Sequence, residues 1–314
     1  MPEWLIERGI GETRAVRIEQ GEIVEARILL DGVTAAGTVL EARLRQAGAP
    51  AIAEAEGVDF LLPKGAPGHA EGAFVRIEVT REAIAGAEPW KRPLARLAGD
   101  EPAGARPIDG EPLPFPAPAD RLGAAGWSDL LEEARSGIVR FEGGELRISP
   151  TPAMTLIDVD GTLPPEQLAR QAAGQAARAI LRHAIGGSIG IDFPTLTGKA
   201  QRQSVGQAID EALPQPFERT AMNGFGFLQI VRPRRHASLF ELAEDRAAFE
   251  ARALLRRAAF EPAGPKRLAA HPAVIAVLGS HPGWLEALAS QVGGAVTLRA
   301  DASIPIHGGY AETP

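Results

Sequence analysis

The sequence predicts a mixed α/β protein (α+β and multidomain), on three observations. The first hundred residues are short alternating apolar runs broken by Gly and Pro, the pattern of small strands. Residues 153–193 read as strand, helix, strand, a βαβ unit. From Ala269 onward, strand-like and helical stretches alternate again as a small C-terminal α/β module.

Taken in order, residues 12–32 predict a hairpin, with Ala15–Ile18 and Ile23–Leu30 flanking a Gln20-Gly21 turn. Val33–Leu44, Ala51–Leu62 and Phe74–Thr80 continue as short strands, a spacing that suggests a small barrel of OB type. Residues 95–125 are rich in Pro, Gly and Ala and lose periodicity, so they read as a linker or an extended strap. Trp127–Ser136 is a short helix with Ser128 as its N-cap, and Gly137–Phe141 and Glu145–Ser149 flank a Glu142-Gly143-Gly144 turn. Ala153–Val159 is continuous and apolar, as expected of a buried parallel strand. Residues 165–184 are the clearest helix: Pro165 suits its first turn, Leu168, Ala172, Ala176, Ile180 and His183 recur at helical spacing, and Gly186-Gly187 ends it. Ser188–Phe193 is a second buried strand. A polar helix over 197–213, an apolar run Gly224–Val231 and helical residues 239–258 follow. The tail reads as strand Val274–Leu278, helix Gly283–Val292 and strand Ala295–Leu298. This divides the chain into 1–94, a linker 95–125, a core 126–240 and a module 241–314.

Composition narrows the function classes. The 314 residues carry 33 basic and 40 acidic side chains, a net charge of −7, which argues against a protein that simply coats nucleic acid. With no cysteine there is no disulfide framework, no thiolate zinc site and no catalytic thiol. No apolar run reaches the roughly 18–20 residues that span a bilayer, and residues 1–20 lack a signal-peptide pattern. The expectation is a cytoplasmic protein without a membrane partner.

The sharpest local feature is Ile157-Asp158-Val159-Asp160-Gly161 at the end of an apolar strand. Alternation puts Asp158 and Asp160 on one face, about 7 Å apart by strand rise. Asp192, in Gly190-Ile191-Asp192-Phe193, ends the next strand of the same unit. Carboxylates at the C-terminal ends of adjacent parallel strands face the crevice where open α/β sheets bind ligands. Two readings of them stand. They share a cation, for which Mg²⁺ is the natural choice because it takes few carboxylates and keeps its waters; or Asp160-Gly161 starts a turn and Asp192 caps the loop before Pro194. His183 reads as a structural residue of its helix, and no other His has ligand-like spacing.

Two families match this segment. Asp158-Val-Asp160-Gly161-Thr162-Leu163 resembles the nucleophile motif of haloacid-dehalogenase-like phosphatases, which would make Asp158 the covalent nucleophile and Asp160 the general acid/base. That family needs a later acidic pair for Mg²⁺ at another strand end, and Val274–Ser280 carries Ser280 at that place. The second match covers far more chain. Gly144 through Gly161 follows the "T-E-A-(L/M)-T-x-I-D-V-N-S-G" segment of the ribonuclease E/G family. Ile185-Gly186-Gly187-Ser-Ile-Gly-Ile191-Asp192-Phe193 follows its "I-G-G-x-I-x-I-D-F" block, and Gly224 through Arg234 its "R-F-G-L-x-E-(M/L)-T-R-x-R". Glu12–Ile28 is similar to the family's opening hairpin, and Gly57–Lys64 with Gly72–Thr80 to its OB-type insertion. The chain thus resembles a short form of that family.

The resemblance implies an OB-like β-rich N-terminal domain and a DNase I-like catalytic core holding the βαβ unit. It implies Mg²⁺-dependent hydrolysis of single-stranded RNA to a 5′-phosphate and a 3′-hydroxyl, in RNA processing or decay, with Mn²⁺ as a substitute ion. By motif match Asp158 and Asp192 hold the metal, and Asp160 stands where the family has Asn. The family's zinc-linking cysteines are absent, so any homodimer lacks a zinc link, and residues 95–125 replace its 5′-end sensor. RNA contacts are expected from Phe60 of the OB insertion, Lys91 and Arg92 after it, Lys199 and Arg202 beyond Asp192, and Arg232, Arg234 and Arg235 in the basic cluster. A non-catalytic RNA-binding protein that kept the fold is the remaining alternative.

Overall fold

The protein was examined as a computed structural model, which describes residues 4–84, 91–99 and 108–314. It is mixed α/β, and its segments group into two compact units that do not follow chain order. One unit combines the described residues of Met1–Asp31, Asp109–Arg135 and Leu242–Pro314; the other combines those of Gly32–Ile108 and Ser136–Glu241.

In the first unit, β1 (Trp4–Arg8), β2 (Glu12–Glu19) and β3 (Glu22–Leu30) form an antiparallel meander. The hairpin turns at Gln20-Gly21 as the sequence suggests. The second unit opens with β4 (Val39–Gln46), β5 (Ala51–Ala55), β6 (Val58–Leu62), β7 (Phe74–Arg81) and β8 (Leu94–Leu97), which close a barrel in the order β4-β5-β6-β8-β7. Its inward positions, among them Leu44, Phe60, Leu62, Ile77 and Val79, are a dry core. The fifth strand, from Leu94 to Leu97, runs into the start of 95–125, so this segment is not a linker throughout. Its other end is β9 (Gly110–Leu113), paired parallel to β1, and α1 (Arg121–Ala124), capped by the Asp120 carboxylate on the Gly123 amide at 2.7 Å. Residues 100–107 of the expected linker lie outside the described residues. Helix α2 (Trp127–Ser136) follows and places Ser128 inside the helix rather than at its cap.

The chain then re-enters the second unit. β10 (Ile138–Phe141), β11 (Gly144–Pro150), β12 (Thr155–Gly161), β13 (Gly187–Asp192), β14 (Glu218–Arg219) and β15 (Phe227–Arg232) form a mixed sheet, ordered β10-β11-β12-β13-β15-β14. Only β12 and β13 run parallel, joined by α3 (Pro165–Arg182) as the βαβ pattern predicts. Helix α3 and the following α4 (Lys199–Ala212) bring Leu168, Ala169, Ala172, Ala176, Val205 and Ile209 into one core with Ile157, Val159, Ile189 and Ile191. The small Ala stripe lets α3 lie close to the strands. The strand from Ala153 to Val159 was expected to be buried on both faces, but β12 alternates: Thr155, Ile157 and Val159 are buried, Leu156, Asp158 and Asp160 exposed. The reason is its neighbour β11, which is antiparallel and leaves one sheet face without a helix layer.

Helix α3 also ends earlier than the Gly186-Gly187 pair suggests. His183 is its C-cap, Ala184 turns with φ +56°, and the amides of Ala184 and Ile185 donate to the carbonyls of Leu181 and Ile180. This is a Schellman closure with Ala in the left-handed position that Gly ordinarily takes. Buried His183 accordingly serves the helix end: its Nδ1 lies 3.1 Å from the Ala179 carbonyl and its ring packs on Phe240.

After α5 (Leu239–Glu244) the chain returns to the first unit through α6 (Arg246–Phe260), β16 (Lys266–Ala270), α7 (Pro272–Ser280), α8 (Pro282–Val292), β17 (Val296–Ala300) and β18 (Tyr310–Glu312). The apolar run Val274–Leu278 is therefore helical, not a strand. Pro272 at the first helical position, with the His271 ring accepting from the Ala273 amide at 3.2 Å, starts a helix there. The strand lies just before it, between β17 and β18.

A buried ion cluster ties this unit together. Arg14 donates to Glu12 and Glu7, both at 2.7 Å; Arg252 donates to Glu12 at 3.1 Å. Arg256 donates to Glu7 at 2.9 Å and to Asp120 at 2.6 Å. Burial pushes the Asp120 carboxyl up, but the hydrogen bonds from Arg256 and from the Gly123 amide outweigh it and hold it below the ordinary aspartate range.

Two measurements follow. A carboxylate depressed on folding contributes stability that is present above its unfolded pKa and lost as the pH falls through its folded pKa. Urea melts should therefore show stability falling below about pH 4, and Asp120→Asn should blunt that fall while costing about 1–3 kcal/mol at neutral pH. Ala184→Gly should stabilise the chain by about 0.5–1 kcal/mol, because it relieves the left-handed strain of a Cβ-bearing residue.

Candidate active site on the open sheet face

Register fixes the site. Asp158 of β12 and Asp192 of β13 are direct Cα partners on adjacent parallel strands, about 4.8 Å apart across the sheet. Both side chains emerge on the face that α3 and α4 leave open. Neither has an ion-pair partner among the described residues. Burial pushes the Asp158 carboxyl up, and the negative charges of Asp160 and Asp192 push it further in the same direction. The Val159 amide and Arg147 only partly offset this.

Asp160 is held differently. It lies opposite Glu145 of β11, a like-charged pair, and Arg147 lies between them. The Arg147 Nε is 3.2 Å from Asp160 and its Nη2 is 2.8 Å from Glu145. Asp160 is thus ion-paired with Arg147, while its charge still raises the Asp158 carboxyl. Among the described residues, no group of three or more His, Asp or Glu side chains is gathered closely enough to hold a metal ion. The donor set is therefore a pair, Asp158 with Asp192, and a tethered neighbour. Mg²⁺ suits such a pair, since it binds through one or two carboxylates and otherwise keeps its waters.

The floor beside the pair is shaped by the absence of a side chain at Gly190. A Cβ there would lie 2.5 Å from the Phe227 ring and 3.1 Å from the Met154 sulfur, so both cover the strand where it would otherwise be bare. Beyond Phe227, the turn Asn223–Phe227 is locked by the Asn223 Oδ1, which accepts from the amides of Phe225 at 2.9 Å and Phe227 at 3.1 Å. The Phe193 amide donates to the Gly226 carbonyl at 3.1 Å. Gly226 is obligatory: φ is +101°, and a Cβ would stand 2.2 Å from the Phe193 carbonyl oxygen. This turn presents Phe225 to solvent, 85% exposed.

The expected RNA-contacting residues are scattered. Phe60 is fully buried in the barrel, pairing with Ala53 across β5 and β6, because the alternation of β6 points it inward. It has no face left for a base. The exposed barrel aromatic is Phe74, at the start of β7 opposite Arg43. Lys91 and Arg92 are exposed, and Arg92 lies 3.6 Å from Asp59. Arg202 is half-buried and donates to the carbonyls of Leu196 and Thr197, so it braces the loop after Asp192. Arg232, Arg234 and Arg235 follow β15, whose antiparallel register sets Arg232 opposite Gly187 and Phe227 opposite Asp192. The basic cluster consequently lies at the far end of β13, roughly 17 Å from Asp192 by strand rise, not beside it. Arg234 is also paired with Glu241. Lys199 opens α4, in the segment that follows Asp192, and has no ion-pair partner among the described residues. It lines a cavity of about 630 Å³ with Arg202, Gln203, Arg219 and Met222.

Sequence reasoning missed Phe225. Its signal is an aromatic residue between two glycines, which no core position would require.

No protein-family model matches the chain, and no curated protein matches it. No helix among the described residues is long and apolar enough to cross a membrane.

Phe60 and Phe74 are separable by stability. Phe60→Ala should cost about 3–5 kcal/mol in chemical denaturation, as for other fully buried aromatics. Phe74→Ala, at 78% exposure, should stay within about 0.5 kcal/mol of the parent.

Proposed function

We propose that this chain is a metal-dependent endoribonuclease that cleaves single-stranded RNA, leaving a 5′-phosphate and a 3′-hydroxyl. The observation that carries the reading is the direct register pairing of Asp158 and Asp192 on an open sheet face, with no cation paired to either among the described residues. The hundred-residue resemblance to the ribonuclease E/G family supports it, because two of the three motif blocks that carry the resemblance contain these two residues.

In this reading Asp158 and Asp192 hold Mg²⁺. Bound there, the ion supplies a water of lowered pKa and stabilises charge on the displaced oxygen. The remaining roles belong to the chain. Asp160 is held on Arg147, and its charge adds to the demand for a cation at the pair. The helix-free sheet face lets an extended strand reach the carboxylates without unfolding any cover. The five-stranded barrel serves as an OB-like grip on the same strand; its order, with β6 and β8 the parallel pair, suits that assignment.

Two features favour the nuclease reading over the phosphatase alternative. Val274–Ser280, where its second acidic pair was sought, is helix α7, and β12 is flanked on one side by an antiparallel strand.

The decisive assay is cleavage of a labelled, unstructured RNA in Mg²⁺, Mn²⁺ or EDTA. Internal cuts should require the metal, and Asp158→Asn and Asp192→Asn should each reduce the rate by about a hundredfold or more. Asp160→Asn should retain cutting. RNA left intact under every metal by the parent protein overturns the assignment.

A further inference from the structure

We propose that Phe225 is a base-stacking platform that, with Lys199, seats the nucleotide next to the cut. The inference rests on the endoribonuclease reading for what is cut, but its structural grounds are independent.

Three observations carry it. First, Phe225 is the most exposed of the large apolar side chains in the described protein, at 85%, although its backbone is among the most constrained. The Asn223 side chain accepts two amides of the turn, the Gly226 carbonyl accepts from Phe193, and the Thr195 hydroxyl lies 3.4 Å from the Phe225 carbonyl. A turn built this firmly has no structural need for an apolar tip, and water penalises one. Second, the turn is bound to the site by register and hydrogen bonding: Phe227 opposes Asp192, and the Phe193 amide donates to the carbonyl of Gly226, the residue after Phe225. Third, the chain running into this turn, Ala221-Met222, forms one wall of the cavity of about 630 Å³ whose other wall is α4. Among the described residues, that wall carries Lys199 with no ion-pair partner and Arg202 donating to the carbonyls of Leu196 and Thr197. The Arg219 guanidinium in the same cavity is paired with Asp210.

An exposed ring on a turn whose incoming chain shares a cavity with Lys199 offers both contacts that hold single-stranded nucleic acid: a base stacks on the ring and a phosphate meets the cation. Here it also answers an electrostatic problem. The Asp158–Asp192 pair repels a phosphodiester, so a strand needs a favourable contact close by to bring its phosphate there. Stacking is indifferent to base identity in kind but stronger for larger π-faces, so the ring favours a purine at the seated position. A protein or peptide partner on Phe225 is the competing occupant.

The test uses the full-length protein and a short single-stranded RNA carrying 2-aminopurine, in EDTA so that binding is read without turnover. The parent should quench the fluorophore. Phe225→Ala should abolish that quenching and weaken binding by about tenfold, and Phe225→Leu, which keeps the apolar volume but no π-face, should behave like Ala. Lys199→Ala should weaken binding and flatten its salt dependence while leaving the quench per bound strand intact. The exposure of Phe225 makes unfolding no explanation, and thermal melts of all variants should match the parent. In the cleavage assay Phe225→Ala should raise KM more than it lowers kcat and blur the cut positions.

Failures of the two proposals are distinguishable. Metal-dependent cutting with unchanged quenching and affinity in Phe225→Ala overturns the stacking platform and leaves the nuclease. Phe225-dependent quenching without cutting under any metal overturns the nuclease and leaves the platform. No RNA binding by the parent overturns the platform in favour of the protein-partner occupant.

Discussion

Three guanidiniums and three carboxylates, those of Arg14, Arg252, Arg256, Glu7, Glu12 and Asp120, interlock in the interior of the first unit. Taking this many charges out of water is costly, and the arrangement is tolerable only because the signs balance and nearly every donor meets an acceptor. The cluster is unforgiving of partial assembly: an unmatched member leaves a buried charge. Its members come from strands near the start of the chain, a capping loop in the middle and α6 near the end. Chain segments some 240 residues apart in sequence are thereby obliged to meet. Closing so long a loop costs little more entropy than closing one half its length, since the cost grows only logarithmically. The barrel and the mixed sheet are therefore excursions from a unit whose ends are pinned by charge.

The second unit is governed by a different constraint, the one-sided cover of its sheet. Helices α3 and α4 shield one face with an Ala-rich layer, and the period of two along β12 and β13 does the rest. Every apolar residue of Ile157, Val159, Ile189 and Ile191 faces the helices, which sends Asp158 and Asp192 to water together. A slip of one residue in either strand would bury a carboxylate and expose an isoleucine, so packing and site geometry are enforced by the same register. Arg147 is the near guanidinium, and it is committed to Asp160 and Glu145.

Much of the local structure was legible in the residues. The Gln20-Gly21 hairpin, α3 with Pro165 in its first turn, and the strands ending at Asp158 and Asp192 all carry their own periodicity or turn chemistry. The misreadings have physical causes. Val274–Leu278 is apolar throughout, and an apolar run of five has no period to distinguish strand from helix; the neighbouring Pro272 and His271 decided for helix. Phe60 and Phe225 look alike as letters, yet one is turned inward by the pleat of β6 and the other is held outward by a side-chain-locked turn. The basic cluster at 232–235 follows soon after residues of the site, but the antiparallel direction of β15 carries it to the opposite end of the sheet.

By itself, the sequence determined the fold class, the order of most elements and the identity of the paired carboxylates, because each depends on spacing within some twenty residues or on composition. Tertiary structure alone decided which segments share a unit, which sheet face stays open, and which aromatic and cationic side chains stand near the carboxylates. Those outcomes depend on strand direction, on register and on pairing between distant charges. None of these leaves a mark in the local pattern, since each arises only when remote segments compete to bury the same surface.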